Sequence, residues 1–199
     1  MGLNLSYDYG QTPISEEEIE ELLVKTISTK AELDEFEQKN IEIAVEWTIK
    51  QRHPIDKILS IDFIKEVHRR MFDQVWGWAG KFRSTNKNIG VDKRQIYIEI
   101  SKLIDDVKFW INNKTYSEDE ITIRYKHRLV KIHPFPNGNG RHSRLCADIL
   151  VSHIFNKPIF SWGSHYNLTE PGDTRKKYID AIFLADEGNI RPLLKFARL

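Results

Sequence analysis

The chain has 199 residues, 40% of them hydrophobic and 30% charged, and its 30 Lys and Arg balance 29 Asp and Glu for a formal net charge of +1. A chain this long buries roughly 70% of its unfolded surface, so one ordinary globular domain is expected, and disordered, collagenous and coiled-coil classes are excluded. No run reaches the ~18 apolar residues of a membrane span, near-zero charge argues against direct nucleic-acid binding, and MGLNLSYDYGQTPISEEE lacks the basic and apolar regions of a secretory signal. The expectation is a cytoplasmic protein with neither membrane nor nucleic-acid contacts.

In chain order the pattern is mostly helical. Ser15 and Glu18 form a capping box ahead of Ile19, Leu22, Leu23 and Ile27 at helical spacing, which predicts a helix over about 15 to 28. A second box, Thr29 with Glu32, opens a helix running to about 51 on an apolar stripe of Leu33, Phe36, Ile41, Ala44, Val45 and Trp47. Ser60 precedes a third, with Ile61, Ile64, Val67, His68, Met71 and Phe72 on one face and the Gly77/Gly80 pair as its end. Residues 83 to 98 combine Thr, Asn and Gly with alternation around Ile89, Val91, Ile96 and Ile98, which reads as a short hairpin or extended loop that Asn88, Ile89 and Gly90 would let turn. Helical periodicity resumes over about 97 to 113, and again from the Ser117/Glu120 box through Ile132. His133-Pro134 ends that helix, because the residue before a proline is pushed out of the α region.

The segment HPFPNGNGRHSR follows, with two prolines and two glycines inside residues 133 to 140, before a nearly all-round apolar helix. Cys146 lies in that apolar run and reads as a small buried hydrophobe. A helix from Thr174 to about Glu187 and a last turn from Ile190 with an early Pro192 close the chain. The expected fold is all-α, about eight helices with a small β-hairpin. Trp76, Trp78 and Trp110 read as core or near-core aromatics.

The glycine segment carries the chemistry. Gly138 and Gly140 just before a helix start allow a tight curl of N–H groups close to a ligand. The positive end of the helix adds to the same place, which makes an anion cradle. Arg141 and Arg144, three apart, can grip phosphate oxygens from one side, and two arginines suggest more than one phosphate. His133 stands at a helix end whose dipole raises its pKa while the arginines lower it, so near neutrality it can act as a base. The other histidines, 53, 68, 127, 142, 153 and 165, lack the spacing of a helical zinc pair and read as structural or surface residues. No GxxxxGK[ST] motif occurs, which removes the P-loop route to a nucleotide.

HPFPNGNGRHSR, residues 133–144, resembles the signature of Fic-domain proteins, HPFx(D/E)GNGRxxR, and differs from it at one fixed position. GKFRSTNKNIGV (80–91) looks like that family's flap, and YIDAIFLADEGNIRPLLKF (178–196) resembles its closing helices. The wording is most similar to the branch called mobile mystery protein B, typically encoded on mobile elements beside a helix-turn-helix protein, which makes such a protein a candidate partner. The resemblance implies the Fic fold, with N-terminal helices over 1–59 and a core with closing helices over 60–199.

It also implies AMPylation. His133 takes the proton from a Ser, Thr or Tyr hydroxyl of a target protein, and that hydroxyl attacks the α-phosphate of ATP. Phe135 anchors the loop. Gly138, Asn139 and Gly140 cradle the α- and β-phosphates, with Arg141 on the β- and Arg144 on the γ-phosphate. The flap residues Lys87, Asn88, Ile89, Gly90 and Val91 pair with an extended target segment by strand addition. Position 137, where the family carries Asp or Glu for Mg²⁺, is Asn, so Mg²⁺ or Mn²⁺ is expected to bind more weakly. Ser28 to Glu32 fits most of the family's inhibitory motif [S/T]xxxE[G/N], in which the glutamate pairs with the second motif arginine, here Arg144; Thr29 and Glu32 equally satisfy a capping box. Two alternatives stand beside the adenylyltransferase: a Fic transferase with another phosphate-containing donor, and a non-catalytic module that senses nucleotide or binds a partner.

Overall fold

The computed structural model describes residues 13–163 and 172–199. His165 therefore lies outside the described residues. The described part is all-α, with nine α-helices: α1 Glu16–Glu20, α2 Lys30–Lys50, α3 Ile55–Ile58, α4 Ile61–Phe72, α5 Ile96–Asn113, α6 Glu118–Ile132, α7 Asn139–His153, α8 Asp173–Asp186 and α9 Arg191–Ala197. Capping chemistry sets four of the starts. Ser15 and Thr29 form full capping boxes with Glu18 and Glu32, and the hydroxyls of Ser60 and Ser117 accept from the N–H groups of Phe63 and Glu120. None of the described helices is long and apolar enough to cross a membrane.

Three expectations are corrected. The helix predicted over 15 to 28 stops at Glu20, because the chain beyond it finds backbone partners elsewhere: Leu22 bridges to Trp76, Leu23 N–H donates to Val75 O at 2.9 Å, and Gly77 N–H donates to Glu21 O at 2.9 Å. Of the residues at helical spacing, Leu22 and Ile27 are buried while Leu23 is 52% exposed. Helix α4 ends at Phe72, ahead of the glycine pair; residues 73–80 are turns that bury Trp76 and Trp78. The hairpin over 83 to 98 is absent. Arg83 N–H donates to Pro134 O at 2.9 Å and Val91 N–H to Ile132 O at 3.3 Å, so the two limbs take partners from the α6–α7 loop and the end of α6 instead of each other. The alternation at Ile96 and Ile98 belongs to the first turn of α5, which a 3₁₀ turn at Lys93–Gln95 introduces. The short α3, behind Pro54, has no periodicity to announce it.

Two apolar clusters make the core. The larger joins α2, α3, α4, α5, α6 and α7 around Phe63, Ile64, Val67, Trp76 and Leu103; the smaller seats α8 and α9 on Ile123, Ala147 and Val151 of α6 and α7. Helices α6 and α7 contribute to both, so the loop joining them is held between the two halves of the core. Cys146 is buried in the larger cluster.

Candidate active site

Helix α6 ends at Ile132 because Pro134 forbids the helical conformation at the residue before it. His133 instead adopts a left-handed conformation, φ 55° and ψ 58°, which is uncommon for a side chain of this size and marks a held residue. The hold is Arg83. Its Nε donates to His133 O at 2.7 Å, Nη1 donates to Thr85 O at 2.8 Å, and Nη2 donates to Val91 O, so one buried guanidinium ties the flap to the α6–α7 loop. Gly90 completes the contact. Its φ is +94°, and a Cβ there would stand 2.6 Å from the Cβ of His133.

Burial lowers the pKa of His133 to about 4, and the charges of Arg83 and Lys87 push the same way while a backbone contact at Val130 opposes them. The imidazole is therefore neutral at pH 7, as a proton acceptor must be. The lowering cations differ from the expected ones: they come from the flap, whereas the sequence pointed to Arg141 and Arg144.

The loop itself is braced by aromatic packing and one amide. Phe135 is fully buried, stacks on His68 with centroids 3.7 Å apart, and meets His142 edge-on at 4.9 Å. The Asn139 side chain accepts from Phe135 N–H and donates to Phe135 O, both at 2.9 Å. The Asn139 side chain is thus buried and engaged in holding the loop. His68 accepts Gly80 N–H at Nδ1, which leaves the proton on Nε2 to be donated to Asn137 O at 3.1 Å. The two motif glycines differ. Gly138 has φ +75° and a Cβ there would enter the Phe72 ring at 2.5 Å, whereas a Cβ on Gly140 would meet nothing within 4 Å.

A cavity of about 580 Å³ opens beside this loop, lined by His133, residues 137–141 and Arg144 on one side and by Tyr178, Ile182 and Phe183 of α8 on the other. Helix α7 starts there at Asn139, with no side-chain cap and no acidic residue in its first turn. Its positive end therefore faces the same space as the arginines. Arg141 Nη1 pairs with Glu37 Oε2 at 2.6 Å, and Trp76 Nε1 donates to Glu37 Oε1 at 2.6 Å. Arg144 lies over the Tyr178 ring at 5.5 Å and has no carboxylate partner among the described residues.

Several expected contacts are not made. The Glu32 carboxylate accepts from Ser28 N–H and Oγ and from Thr29 N–H, at the exposed start of α2, so Glu32 and Ser28 serve the cap; the carboxylate that reaches a motif arginine is Glu37, and the arginine is Arg141. Lys87 is turned away from a docking role. Its Nζ pairs with Glu18 Oε2 at 2.5 Å and donates to Pro13 O at 3.2 Å, which straps α1 to the flap. Ile89, Gly90 and Val91 do line the cavity, while Asn88 is exposed outside it. Asn137 Oδ1 accepts its neighbour's N–H, from Gly138, at 2.6 Å, so position 137 offers a divalent cation one neutral oxygen that is already engaged. Arg83, Glu37 and His68 are the residues that the reading of the motif missed. Glu37 carried a signal, a carboxylate one turn from Leu33 and Asn40 on the buried face of α2; His68 showed only its place on the apolar face of α4, and Arg83 carried no signal, since its partners are backbone atoms.

Residues 58–151, from α3 through most of α7, match the model of the Fic/DOC family. The chain carries a Fic/DOC family domain. It is 30% identical to "Protein adenylyltransferase Fic" of Aedes aegypti over 69% of this chain and 27% of that protein, and 32% identical to the protein of that name from Culex quinquefasciatus over the same shares. It thus spans about a quarter of the length of the curated relatives it matches. The fold is similar to that of the Bartonella tribocorum BepC protein with bound AMPPNP, at a TM-score of 0.68 and 19% identity, covering 92% of this chain and 97% of that one. Fic-1 of C. elegans (residues 134–508) gives a TM-score of 0.61 at 24% identity, over 80% of this chain and 46% of that one. The Fic fold read from the sequence is the fold observed.

Proposed function

We propose that this protein is an adenylyltransferase that transfers AMP from ATP to a Ser, Thr or Tyr hydroxyl of a protein target. The observation that carries this reading is a neutral, buried His133 on the wall of a cavity that also receives the N-terminus of α7 and the guanidinium of Arg144. Relatives about 30% identical bear the name adenylyltransferase, which agrees with it. The target oxygen attacks the α-phosphorus, its proton passes to His133, and the bond from the α-phosphorus to the bridging oxygen breaks to release pyrophosphate. The α7 N–H groups, Arg141 and Arg144 take the phosphate charge, and Arg83 with Gly90 keeps the imidazole in place. Asn137 would be this loop's neutral ligand for Mg²⁺ or Mn²⁺, and the cation would supply charge neutralisation at the phosphates.

The test is autolabelling with ATP tagged on the α-phosphate, in Mg²⁺ and in Mn²⁺, for the parent and His133→Ala. Label in the parent that is lost in His133→Ala supports the transferase, and a mass increment other than that of an AMP group would shift the donor. The engaged, uncharged Asn137 favours one second reading, a nucleotide-binding module without transfer; ATP binding with no label in either protein selects it.

A further inference from the structure

Glu37 lies on α2, outside residues 58–151 of the family match, and is 3% exposed. A buried carboxylate is costly unless both oxygens are satisfied. Here both are, by Trp76 Nε1 and Arg141 Nη1, each at 2.6 Å. The position of Glu37 is set independently of any ligand. One turn on, Asn40 Nδ2 donates to Arg70 O at 2.9 Å and Gln74 N–H donates to Asn40 Oδ1 at 2.9 Å, which locks that face of α2 to the end of α4.

Arg141 needs such a partner. It stands in the first turn of α7, where the helix dipole is positive and a cation is disfavoured, and that turn contains no acidic residue of its own. Without Glu37 the guanidinium would be repelled from the place where a phosphate is bound. With Glu37 it is gripped at Nη1, and the other donors of the five-donor fork remain for a ligand. The Arg141 side chain is partly open, 22% exposed, and it lines the cavity.

We propose that Glu37 is a positioning residue for the phosphate site: it holds Arg141 against the dipole of α7 so that a nucleoside diphosphate finds the guanidinium already in place. The ligand adds to the remaining Arg141 donors and does not displace Glu37, since displacement would leave a buried carboxylate with the indole N–H alone. The proposal rests on the nucleotide-binding part of the function proposed above, and it differs from inhibition in sign. A competitor of the phosphate weakens binding by being present; a positioning residue weakens binding by being removed.

The experiment is a double-mutant cycle on ADP affinity, read by titration calorimetry on the full chain, with thermal unfolding of each variant as a check on folding. Glu37→Ala is expected to weaken ADP about tenfold, and Glu37→Gln, which keeps the volume and a hydrogen bond but loses the charge, about threefold. Both losses vanish in the Arg141→Ala background, because there is no guanidinium left to place. Affinity equal to or tighter than the parent's in Glu37→Ala overturns the proposal, as does a loss that persists undiminished beside Arg141→Ala, the signature of general destabilisation. Should Glu37→Ala fail to fold, the Glu37→Gln cycle decides by the same two criteria. A parent that binds no ADP overturns the nucleotide reading and this proposal together, whereas intact parent binding with an unaltered Glu37→Ala overturns this proposal alone.

Discussion

The α6–α7 loop and the flap meet at His133, yet they are stiffened by different physics. The loop is held from below by dispersion and shape: Phe135 packs against both the His68 and His142 rings, and the Asn139 amide closes over its backbone. The flap has few buried apolar side chains and is held by two cations, Arg83 reaching three backbone carbonyls and Lys87 tied to Glu18. Apolar stacking fails gradually as atoms are removed, whereas a multiply bonded guanidinium fails at once and leaves its acceptors unsatisfied. The loop should therefore govern stability and the flap the state of His133.

The largest effect should come from the loop. Phe135→Ala is expected to cost about 3–5 kcal/mol in urea unfolding, and a cost under 1 kcal/mol would mean the stack is not what holds the loop. Arg83→Ala comes next, at about 2–4 kcal/mol, for it strands the carbonyls of His133, Thr85 and Val91. It also removes a charge that lowers His133, so the acid limb of autolabelling should move to higher pH; an unmoved limb would break the assigned link between flap and base.

The dependence of stability on pH sharpens the same comparison. His133 and His142 are each lowered from 6.5 to about 4 in the folded chain, mainly by burial. Between those values the unfolded chain binds more protons, so their contribution is present above pH 6.5 and is lost as pH falls to 4, at no more than about 3.5 kcal/mol each. Asp148 works in the opposite direction, since burial raises it from 3.8 to about 7 and the folded chain takes up its proton. The fall should thus be steeper in Asp148→Asn than in the parent, and equal slopes in the two proteins would refute it.

Gly90→Ala tests the seam between the regions. The φ of +94° and the 2.6 Å approach to the His133 Cβ predict about 1–3 kcal/mol of strain and a labelling rate reduced more than the stability loss explains. The smallest effect is expected outside both regions. Glu32→Gly frays the start of α2 and leaves autolabelling unchanged, because Glu32 caps a helix and Arg144 has no carboxylate partner among the described residues. A rise in label would restore Glu32 as an inhibitor.

Local signals in the sequence were sufficient for most helices and for the loop. Capping boxes at Ser15 and Thr29, the hydroxyls of Ser60 and Ser117, and the His133-Pro134 step act within four residues of themselves, so their consequences are written in the chain around them. The motif between 133 and 144 also named most of the residues on one wall of the cavity. Tertiary structure decided the rest. The segment after Glu20 and the flap both had local patterns that suited a regular element, and both took backbone partners from distant parts of the chain instead. The choice of Glu37 over Glu32 has the same origin. Each is a glutamate on α2, and only the packing of α2 against α4 and α7 determines which one is buried beside an arginine and which one faces water at a cap.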